Sequence, residues 1–546
     1  MAPSGEYAVL NRKVPFLRLI FDDGFITQAI LHHRYEGSGT DAHPYIVTWL
    51  AEDPRDPMKF RDATKWAITV LSTLASLVVA FCSSAYSAGL VDVTNEFHVS
   101  VEVALLGSSL FVLGFALGPL LFGALSEAYG RRVILLVSGV CLTAFSTGVA
   151  ASPNIATVII LRFLAGSLGS APVAVSGGVI ADLFPAKARG VPMGFYAAVP
   201  FLAVLGPVIG AAVEVAGGWR WIQGAMAILA GTVTLAMLWL LPETYAPVLL
   251  ATRARRLTKT TGRVYRSVMD ISHGREQIVG TELRTLLLRP WVLLFREPIV
   301  LLLSIYSSIL SGIMYMSFAA YPIVFQQIRG WNSLETGLTF IGMLVGVLFA
   351  IPHVLVSHTR YVKRMNRTRC RDTARLPPEV HLLDALPASI ALRVGLFWFA
   401  WTIVPVSIPW IVPVLGSVPV GYGLLMIFLP CYNYLVDSYT IYAASVVAAC
   451  TLMNSVFAAA FPLFTDQMYQ GLGPRWAASV PAFLALACVP IPFVLYKYGA
   501  LIRARCFYAA EADAYLDQML RQLEELEEPE EPEKPERPAV KPADPA

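Results

Sequence analysis

Long apolar runs separated by shorter polar segments dominate the chain from residue 66 onwards. Windows of about 20 apolar residues can cross the ~30 Å hydrocarbon core of a bilayer as α-helices. We place twelve such windows, in two sets of six, at 66–90, 102–122, 132–150, 156–181, 193–216, 220–241, 298–322, 334–356, 390–412, 416–437, 439–464 and 476–498. The pattern predicts an all-α membrane protein with twelve transmembrane helices in two six-helix bundles.

The remaining segments complete a division into five regions. These are a polar leader over 1–64, a first helical set over 65–241, a central loop over 242–297, a second helical set over 298–500 and an acidic, proline-rich tail over 501–546. We expect an extended leader that ends in turns, and a disordered tail apart from a short acidic helix over 515–528. In the central loop, Thr252–Lys259 forms either a basic amphipathic helix on the membrane surface or, more simply, part of a plain linker.

Positive charge alternates between the connecting loops. It concentrates at Arg131 and Arg132, at Lys187 and Arg189, over 253–296, over 360–375 and over 497–505. The intervening loops are short and carry little positive charge, so the positive-inside rule places the basic loops in the cytosol. Both termini are then cytosolic. The plasma membrane is the expected location, and the vacuolar membrane is the alternative.

Composition narrows the class of protein. The chain has 546 residues, of which 56% are hydrophobic and 14% charged, with a mean hydropathy of +0.61, which is too apolar for an ordinary soluble protein. The net charge of +3 gives no reason to expect nucleic acid as a partner. The seven cysteines are scattered without a C-x-x-C pair, so we expect no metal site and no cofactor. Neither G-x-S-x-G nor H-E-x-x-H occurs in the helices, so we do not expect an enzyme. We expect a monomer.

A glycine-punctuated turn with one acid and two arginines connects the second and third predicted helices. Its sequence is Gly123-Ala-Leu-Ser-Glu127-Ala-Tyr-Gly130-Arg131-Arg132. We expect Gly123 to let two helices approach closely and Gly130 to permit a tight turn with positive φ. Because the paired arginines cannot enter lipid, this turn also marks the cytosolic side.

An ordered set of motifs resembles a known transporter family. The turn resembles the loop between helices 2 and 3 of the major facilitator superfamily, with Glu127 where aspartate is usual. The segment starting at Arg162 resembles the arginine motif of the fourth helix, and Gly206-Pro207-Val-Ile-Gly210 resembles the fifth-helix antiporter motif. Together they are similar to twelve-helix fungal drug:proton antiporters. Asn454 departs from the pattern, since relatives often carry arginine there.

The resemblance implies roles for these residues. An ion pair of Arg131 with Glu127 or Asp182 would latch the two halves, although the charges could also serve topology alone. Arg162 would couple proton release to substrate, unless it is an arginine that snorkels to the membrane interface. Gly206, Pro207 and Gly210 would form a kinked helix that seals against the other half, or would serve ordinary helix packing.

The predicted helices place aromatic and polar side chains where a substrate cavity could form. The candidates are Tyr86, Tyr196, Tyr315, Trp398, Trp401, Asn433, Tyr434 and Asn454, although any single aromatic residue more commonly faces lipid. Acids are scarce inside the helices, which favours uncharged or weakly cationic ring compounds over polyamines. The proton carrier stays open among Asp92, Asp437, Glu127 and Asp182.

The function predicted on this basis is secondary active export of small amphipathic organic compounds, such as a drug, toxin or secondary metabolite. The family implies proton antiport by alternating access. Two alternatives remain: a polyamine exporter, and a transporter-like receptor or scaffold that moves nothing.

Overall fold

The computed structural model describes residues 16–51, 53–185, 188–272, 283–369 and 377–514. Lipid offers no hydrogen-bond partners to the backbone, and the apolar segments of this chain satisfy their backbone groups internally as helices. The predictions for Lys187, for residues 1–15, for the basic residues Arg371 and Arg375 and for the tail after residue 514 lie outside the described residues.

Up to residue 240, the described residues form ten helices. They are α1 (Phe16–Phe21), α2 (Gln28–His32), α3 (Asp62–Ser84), α4 (Leu90–Phe97), α5 (Val101–Tyr129), α6 (Arg131–Ala150), α7 (Ile155–Gly169), α8 (Ala171–Leu183), α9 (Gly190–Ala197) and α10 (Leu205–Leu240). Short 3-10 segments lie at Pro57–Lys59, Ala85–Gly89 and Val199–Val204. We call residues 62–240 the N-terminal half.

The central segment contains α11 (Ala246–Thr261), α12 (Val268–Ser272) and α13 (Leu283–Arg296). The C-terminal half, residues 298–503, consists of α14 (Pro298–Pro322), α15 (Ser333–Thr339), α16 (Ile341–Arg369), α17 (Leu382–Thr402), α18 (Ile411–Ser438), α19 (Ala443–Ala460), α20 (Thr465–Leu472), α21 (Pro474–Ala487) and α22 (Pro490–Arg503). A π-helical segment follows α14 at Ile323–Ile328, and 3-10 segments lie at Pro378–His381, Thr440–Tyr442 and Phe461–Phe464.

Eleven helical spans in the described ranges are long and apolar enough to cross a membrane. One of them, Gly190–Leu240, has 51 residues, more than twice what ~30 Å of hydrocarbon requires at ~1.5 Å per residue. It is broken at Gly218, whose φ of 76° and ψ of −179° are not helical. The predicted windows 193–216 and 220–241 lie on either side of this break.

The ninth predicted window, 390–412, is misplaced along the chain. The helix there is α17, which begins at Leu382 and ends at Thr402. It stops early because Pro405 and Pro409 follow, and proline removes a backbone donor and restricts the preceding residue. It starts early because Asp384, the charged residue in its first turn, finds partners in Ser357 and His353 of α16.

The two halves touch near both ends of the bundle. At the end that holds Arg131, Arg189 and Arg503, which we call the basic end, Gly190 of α9 lies against His358 of α16, where an added Cβ would come within 2.1 Å of the imidazole. At the opposite end, the far end, Gly337 of α15 packs against α10. Between the ends, Phe201 contacts Phe428 with their ring centroids 5.2 Å apart.

The leader and the central segment form a folded cap, which corrects both sequence predictions. Residues 16–61 are not an extended arm, because Ile30, Tyr35 and Val47 share a buried cluster with Ala254 and Leu257 of α11. The strand β1 (Tyr45–Ile46) pairs in parallel with β2 (Tyr265–Arg266). The apolar face of α11 is therefore covered by protein, so this helix is neither a plain linker nor a membrane-surface helix.

A buried ion pair lies inside this cap. Arg253 of α11 donates to both carboxylate oxygens of Asp53, at 2.5 and 3.2 Å, and both side chains are almost fully buried. Arg55 then joins the cap to the bundle, since it donates to Asp23 at 3.1 Å and to the backbone carbonyl of Glu243 at 3.1 Å.

Candidate functional site

Arg162 lies on α7 and is buried, with 1% of its surface exposed. Its guanidinium donates to the carbonyl oxygens of Cys82 at 2.7 Å, Gly107 at 3.1 Å and Ser83 at 3.5 Å. Cys82 and Ser83 belong to the last turn of α3, where a helix end leaves carbonyl groups in need of donors. The positive charge is thus held in the interior by oriented carbonyl groups.

Aromatic rings flank the same guanidinium. Its central carbon lies 4.5 Å from the ring centroids of both Tyr86 and Phe111, a cation–π geometry that adds to the stabilisation of the charge. A snorkelling arginine keeps its charged head in water. The burial of Arg162 therefore excludes the interpretation as an interfacial residue.

Ser83 connects this arginine to the other half of the molecule. Its carbonyl accepts from Arg162, and its hydroxyl lies 3.0 Å from the hydroxyl of Tyr315 on α14. The Arg162 contacts all lie within the N-terminal half, whereas the contact of Ser83 with Tyr315 joins the halves. If the two halves move apart, the contact between Ser83 and Tyr315 breaks, whereas Arg162 keeps its contacts within the N-terminal half.

Two further cavity candidates are engaged in packing around the interface. Tyr196 donates its hydroxyl hydrogen to the carbonyl of Val173. The side-chain oxygen of Asn454 accepts from Ser307 and Ser308, each at 3.0 Å, and its amide donates to Tyr432 at 3.2 Å. Tyr432 in turn stacks on Phe428, which faces the N-terminal half.

Four candidates lie elsewhere, which corrects the predicted cavity. Trp398 and Trp401 share an exposed face of α17 with Ile390 and Val394, as lipid-facing residues do. Asn433 is exposed on α18. Tyr434 is fully buried at the basic end, where its hydroxyl approaches the position of Gly499 near Glu379. Sequence spacing alone could not tell the lipid-facing side of these helices from the inner side.

A second polar cluster forms at the basic end around Glu243, just after α10. Its carboxylate accepts from the backbone N–H groups of Arg131 at 2.9 Å and Arg132 at 3.1 Å, the first residues of α6. The N–H groups of Thr244 and Tyr245 also donate to it, each at 2.9 Å. A carboxylate here satisfies unpaired donors and complements the positive end of the helix dipole. Burial nevertheless raises the pKa of Glu243, against the effect of these four donors.

Gly130 has the positive φ that was predicted for it, and its missing side chain leaves room for the Glu243 carboxylate. Its φ is 96°, and an added Cβ would lie 2.3 Å from an oxygen of Glu243. Gly123 differs from the prediction, because an added Cβ there would meet nothing within 4 Å. Among the described residues, no close helix approach therefore depends on Gly123.

Arg131 pairs with Asp182, with 3.3 Å between Nε and the carboxylate oxygen. Its guanidinium also donates to Ser126 at 2.6 Å and lies 4.5 Å from the ring of Tyr245. Both members of the ion pair belong to the N-terminal half, so the pair does not itself bridge the halves, as the latch hypothesis required. Glu127 is exposed on α5.

Arg132 points towards the cap and not towards the C-terminal half. It donates to the carbonyls of Ile20 at 2.7 Å and Leu238 at 3.0 Å. Sequence reasoning missed Glu243, although an acid directly after an apolar helix, on the same side as Arg131, was a usable signal.

Comparison with known proteins identifies the family. The sequence matches the family described as Major Facilitator Superfamily over residues 72–462. The chain belongs to the major facilitator superfamily. It is therefore an integral, multi-pass membrane protein, and the substrate of such a transporter is a small molecule.

Several fungal members of the superfamily are similar along most of the chain. An MFS-type efflux pump of Trichophyton rubrum is 50% identical over 521 residues, covering 95% of this chain and 86% of the relative. A major facilitator superfamily multidrug transporter of Aspergillus fumigatus is 49% identical, covering 94% of this chain and 84% of the relative. An efflux pump of Fusarium oxysporum is 46% identical, covering 90% and 82%.

Solved structures of the superfamily share the fold at low sequence identity. A D-xylose–proton symporter aligns with a TM-score of 0.56 and 17% identity, covering 79% of this chain and 97% of that chain. The human organic anion transporter MFSD10 aligns with a TM-score of 0.51 and 18% identity, covering 78% and 99%.

The antiporter-motif helix α10 packs mainly within its own half, which favours ordinary helix packing over a seal against the other half, the two alternatives that the sequence left open. An added Cβ on Gly206 would lie 2.0 Å from Ser84, and one on Gly210 would lie 2.6 Å from the carbonyl of Ala85. These glycines bring α10 onto the broken end of α3. Pro207 meets the other half, because its carbonyl would lie 3.0 Å from a Cβ on Gly337.

Proposed function

We propose that the chain exports small amphipathic organic compounds by proton antiport with alternating access. The relatives described above, which bear the names efflux pump and multidrug transporter, support export. The structural observation that carries the proposal is the fully buried Arg162, whose neighbour Ser83 contacts the opposite half through Tyr315. A buried charge beside a contact between two mobile halves is suited to sense their separation.

The proposed architecture is twelve membrane crossings in two six-helix bundles, over 65–241 and 298–500. The break at Gly218 supports counting Gly190–Leu240 as two crossings. The central segment over 242–297 and the tail over 501–546 complete the proposed division. We place the basic end in the cytosol, because the described arginine clusters at Arg131, Arg253 and Arg503 all lie there. Both termini are then cytosolic, in a monomer of the plasma membrane.

Transport in this proposal proceeds by rocking of the halves. Opening towards either side separates Tyr315 from Ser83, and the carbonyl groups around Arg162 then gain freedom to respond to substrate or proton. Phe201, Phe428 and Tyr432 form an aromatic group at the interface that suits ring-containing compounds. A polyamine would call for carboxylates at this level, so we place it second.

The test measures retention of a labelled hydrophobic dye by cells with and without the protein. We expect lower retention with the protein, abolished by a protonophore. Arg162→Ala should abolish export at unchanged membrane abundance, because the carbonyl acceptors lose their donor. Arg505→Ala, at an exposed position beyond α22, is the control and should export normally. Undiminished export by Arg162→Ala would refute the role of Arg162, and altered spermidine retention alone would favour the polyamine exporter.

A further inference from the structure

A partly buried carboxyl group joins the two halves at the far end of the bundle. Glu214 lies on α10 of the N-terminal half, and Ser333 at the start of α15 donates its hydroxyl hydrogen to Oε1 of Glu214 at 3.2 Å. The other carboxyl oxygen, Oε2, is buried and has no hydrogen-bond partner within the described part of the chain. In the closed far end, Oε2 of Glu214 is therefore shielded from water and accepts no hydrogen bond from the described residues.

Close packing around this contact leaves little room for water. One turn before Glu214, the Cβ of Ala211 would lie 2.8 Å from a Cβ on Gly337. Helices α10 and α15 therefore meet directly through small residues. Val208 of α10 also packs against the core of the C-terminal half. When the far end closes, this packing takes Oε2 of Glu214 out of solvent.

The charged groups around Glu214 do not compensate a negative charge on it. Asp92 of α4 is close enough to act on Glu214 electrostatically, and it carries the same sign of charge. Glu335, the acid on α15, accepts from the backbone N–H of Asn332 in a capping box and adds another negative charge to this end. Arg220, further along α10, pairs with Glu96. An ionised Glu214 in the closed far end would be a partly desolvated carboxylate with no counter-charge among the described residues, which is costly.

We propose that Glu214 is a positioning residue that makes closure of the far end depend on a proton. With a proton bound, the carboxyl is neutral and keeps its contact with Ser333. Without the proton, the carboxylate needs water and holds the far end open. The proton is taken from bulk water and returned to it, so no other reactant is involved.

The role of Glu214 in the transport cycle rests on the proposed function. If the far end faces outward, an exporter that has released its substrate can close outward only after taking up an external proton. The empty carrier then cannot return without a proton on Glu214. Closure of the carrier therefore depends on the external proton, and this dependence is located at a gate and not in the substrate site.

The experiment measures accessibility of the far end and not transport. Val208→Cys, at the half-buried position described above, serves as the reporter, and Leu472→Cys, at an exposed position, corrects for the pH dependence of thiol reactivity. The purified full chain in lipid vesicles is labelled with a membrane-impermeant maleimide between about pH 5 and about pH 8, a range that spans the ionisation of shifted carboxyl groups. The parent without the reporter gives the background from native cysteines.

We expect corrected labelling at Val208→Cys to rise roughly tenfold across this range, as a single ionisation coupled to opening allows. Glu214→Gln should label slowly at every pH, because the amide is neutral and can still contact Ser333. Glu335→Gln, which preserves the capping box, should keep the wild-type pH response. Ser333→Ala retains the carboxyl and loses its partner, so it should label faster at low pH.

A pH response that persists in Glu214→Gln, or that is missing in the wild type, overturns the inference. If Glu214→Gln does not reach the membrane, labelling of Ser333→Ala is compared with that of the wild type. Equal labelling of the two at low pH also overturns the inference. The predicted labelling together with export that ignores a protonophore would leave the gate standing and refute proton antiport.

Discussion

At the scale of single residues, burial and backbone geometry decide what a motif residue does. Arg162 has its charge satisfied by three carbonyl groups and two aromatic rings, so its role depends on the end of another helix, α3. Glu243 likewise has its position fixed by the N-terminus of α6. Both side chains serve as links between elements that are distant in sequence.

Two glycines of the same turn should respond differently to alanine. Gly130→Ala places a Cβ 2.3 Å from the Glu243 carboxylate at a φ of 96°, so we expect a loss of at least ~1 kcal/mol in stability. Gly123→Ala meets open space within its helix and should be neutral or slightly stabilising. Thermal unfolding of the purified protein in detergent measures both. Equal effects of the two substitutions would contradict this assignment.

At the scale of elements, the cap is the part of the molecule that holds a buried ion pair away from the helical bundle. The leader contributes Asp53 and α11 contributes Arg253, and apolar side chains of both segments share one buried cluster. Each buries its few apolar side chains against the other. Arg55 and Arg132 then attach this unit to the basic end through backbone carbonyls.

Removing one member of the buried pair should unfold the cap. Asp53→Asn leaves Arg253 charged and buried, at a cost of ~3–5 kcal/mol. We expect faster proteolysis within residues 246–272, with the helical bundle intact. Asp41→Asn is the matched control, because Asp41 is 88% exposed and lies 3.8 Å from Arg266, a surface pair worth ~1 kcal/mol or less. Unchanged proteolysis of Asp53→Asn would show that the cap is held by its apolar contacts alone.

At the scale of the whole molecule, the described residues join the two halves through few polar contacts. Glu214 with Ser333 lies at the far end and Ser83 with Tyr315 lies between the ends, while glycine contacts such as Gly190 with His358 bring the backbones close. Weak, separate contacts of this kind allow two packed bodies to exchange between arrangements without unfolding either one.

Tyr315→Phe should shift this exchange without harming the fold. It removes one hydrogen bond between the halves, worth ~1 kcal/mol, so the ratio of closed to open molecules should fall roughly fivefold. Spin labels at Val215 and Leu338, both exposed at the far end, report the separation as a distance distribution. Tyr321→Phe, which removes a contact with Ser417 inside the C-terminal half, should leave this distribution unchanged. Identical distributions for wild type and Tyr315→Phe would exclude the contact as a determinant of closure.

The sequence by itself determined the helical class, the positions of most apolar spans and the need for glycine at 130. These follow from local causes: hydrocarbon excludes an unpaired backbone, and a positive φ excludes a side chain. It also determined that Arg162 is unusual, because a charge inside an apolar helix requires a partner.

Only the tertiary structure decided which residues contact one another. Which helices are neighbours decides whether Trp398 faces lipid or the interior and whether the leader is extended or folded. It also decides whether the ion pair of Arg131 with Asp182 lies within one half or joins the two halves. Glu214 is the clearest case. In the sequence it is an acid near the end of a helix, and it becomes a contact between halves because α15, more than a hundred residues later, brings Ser333 to it.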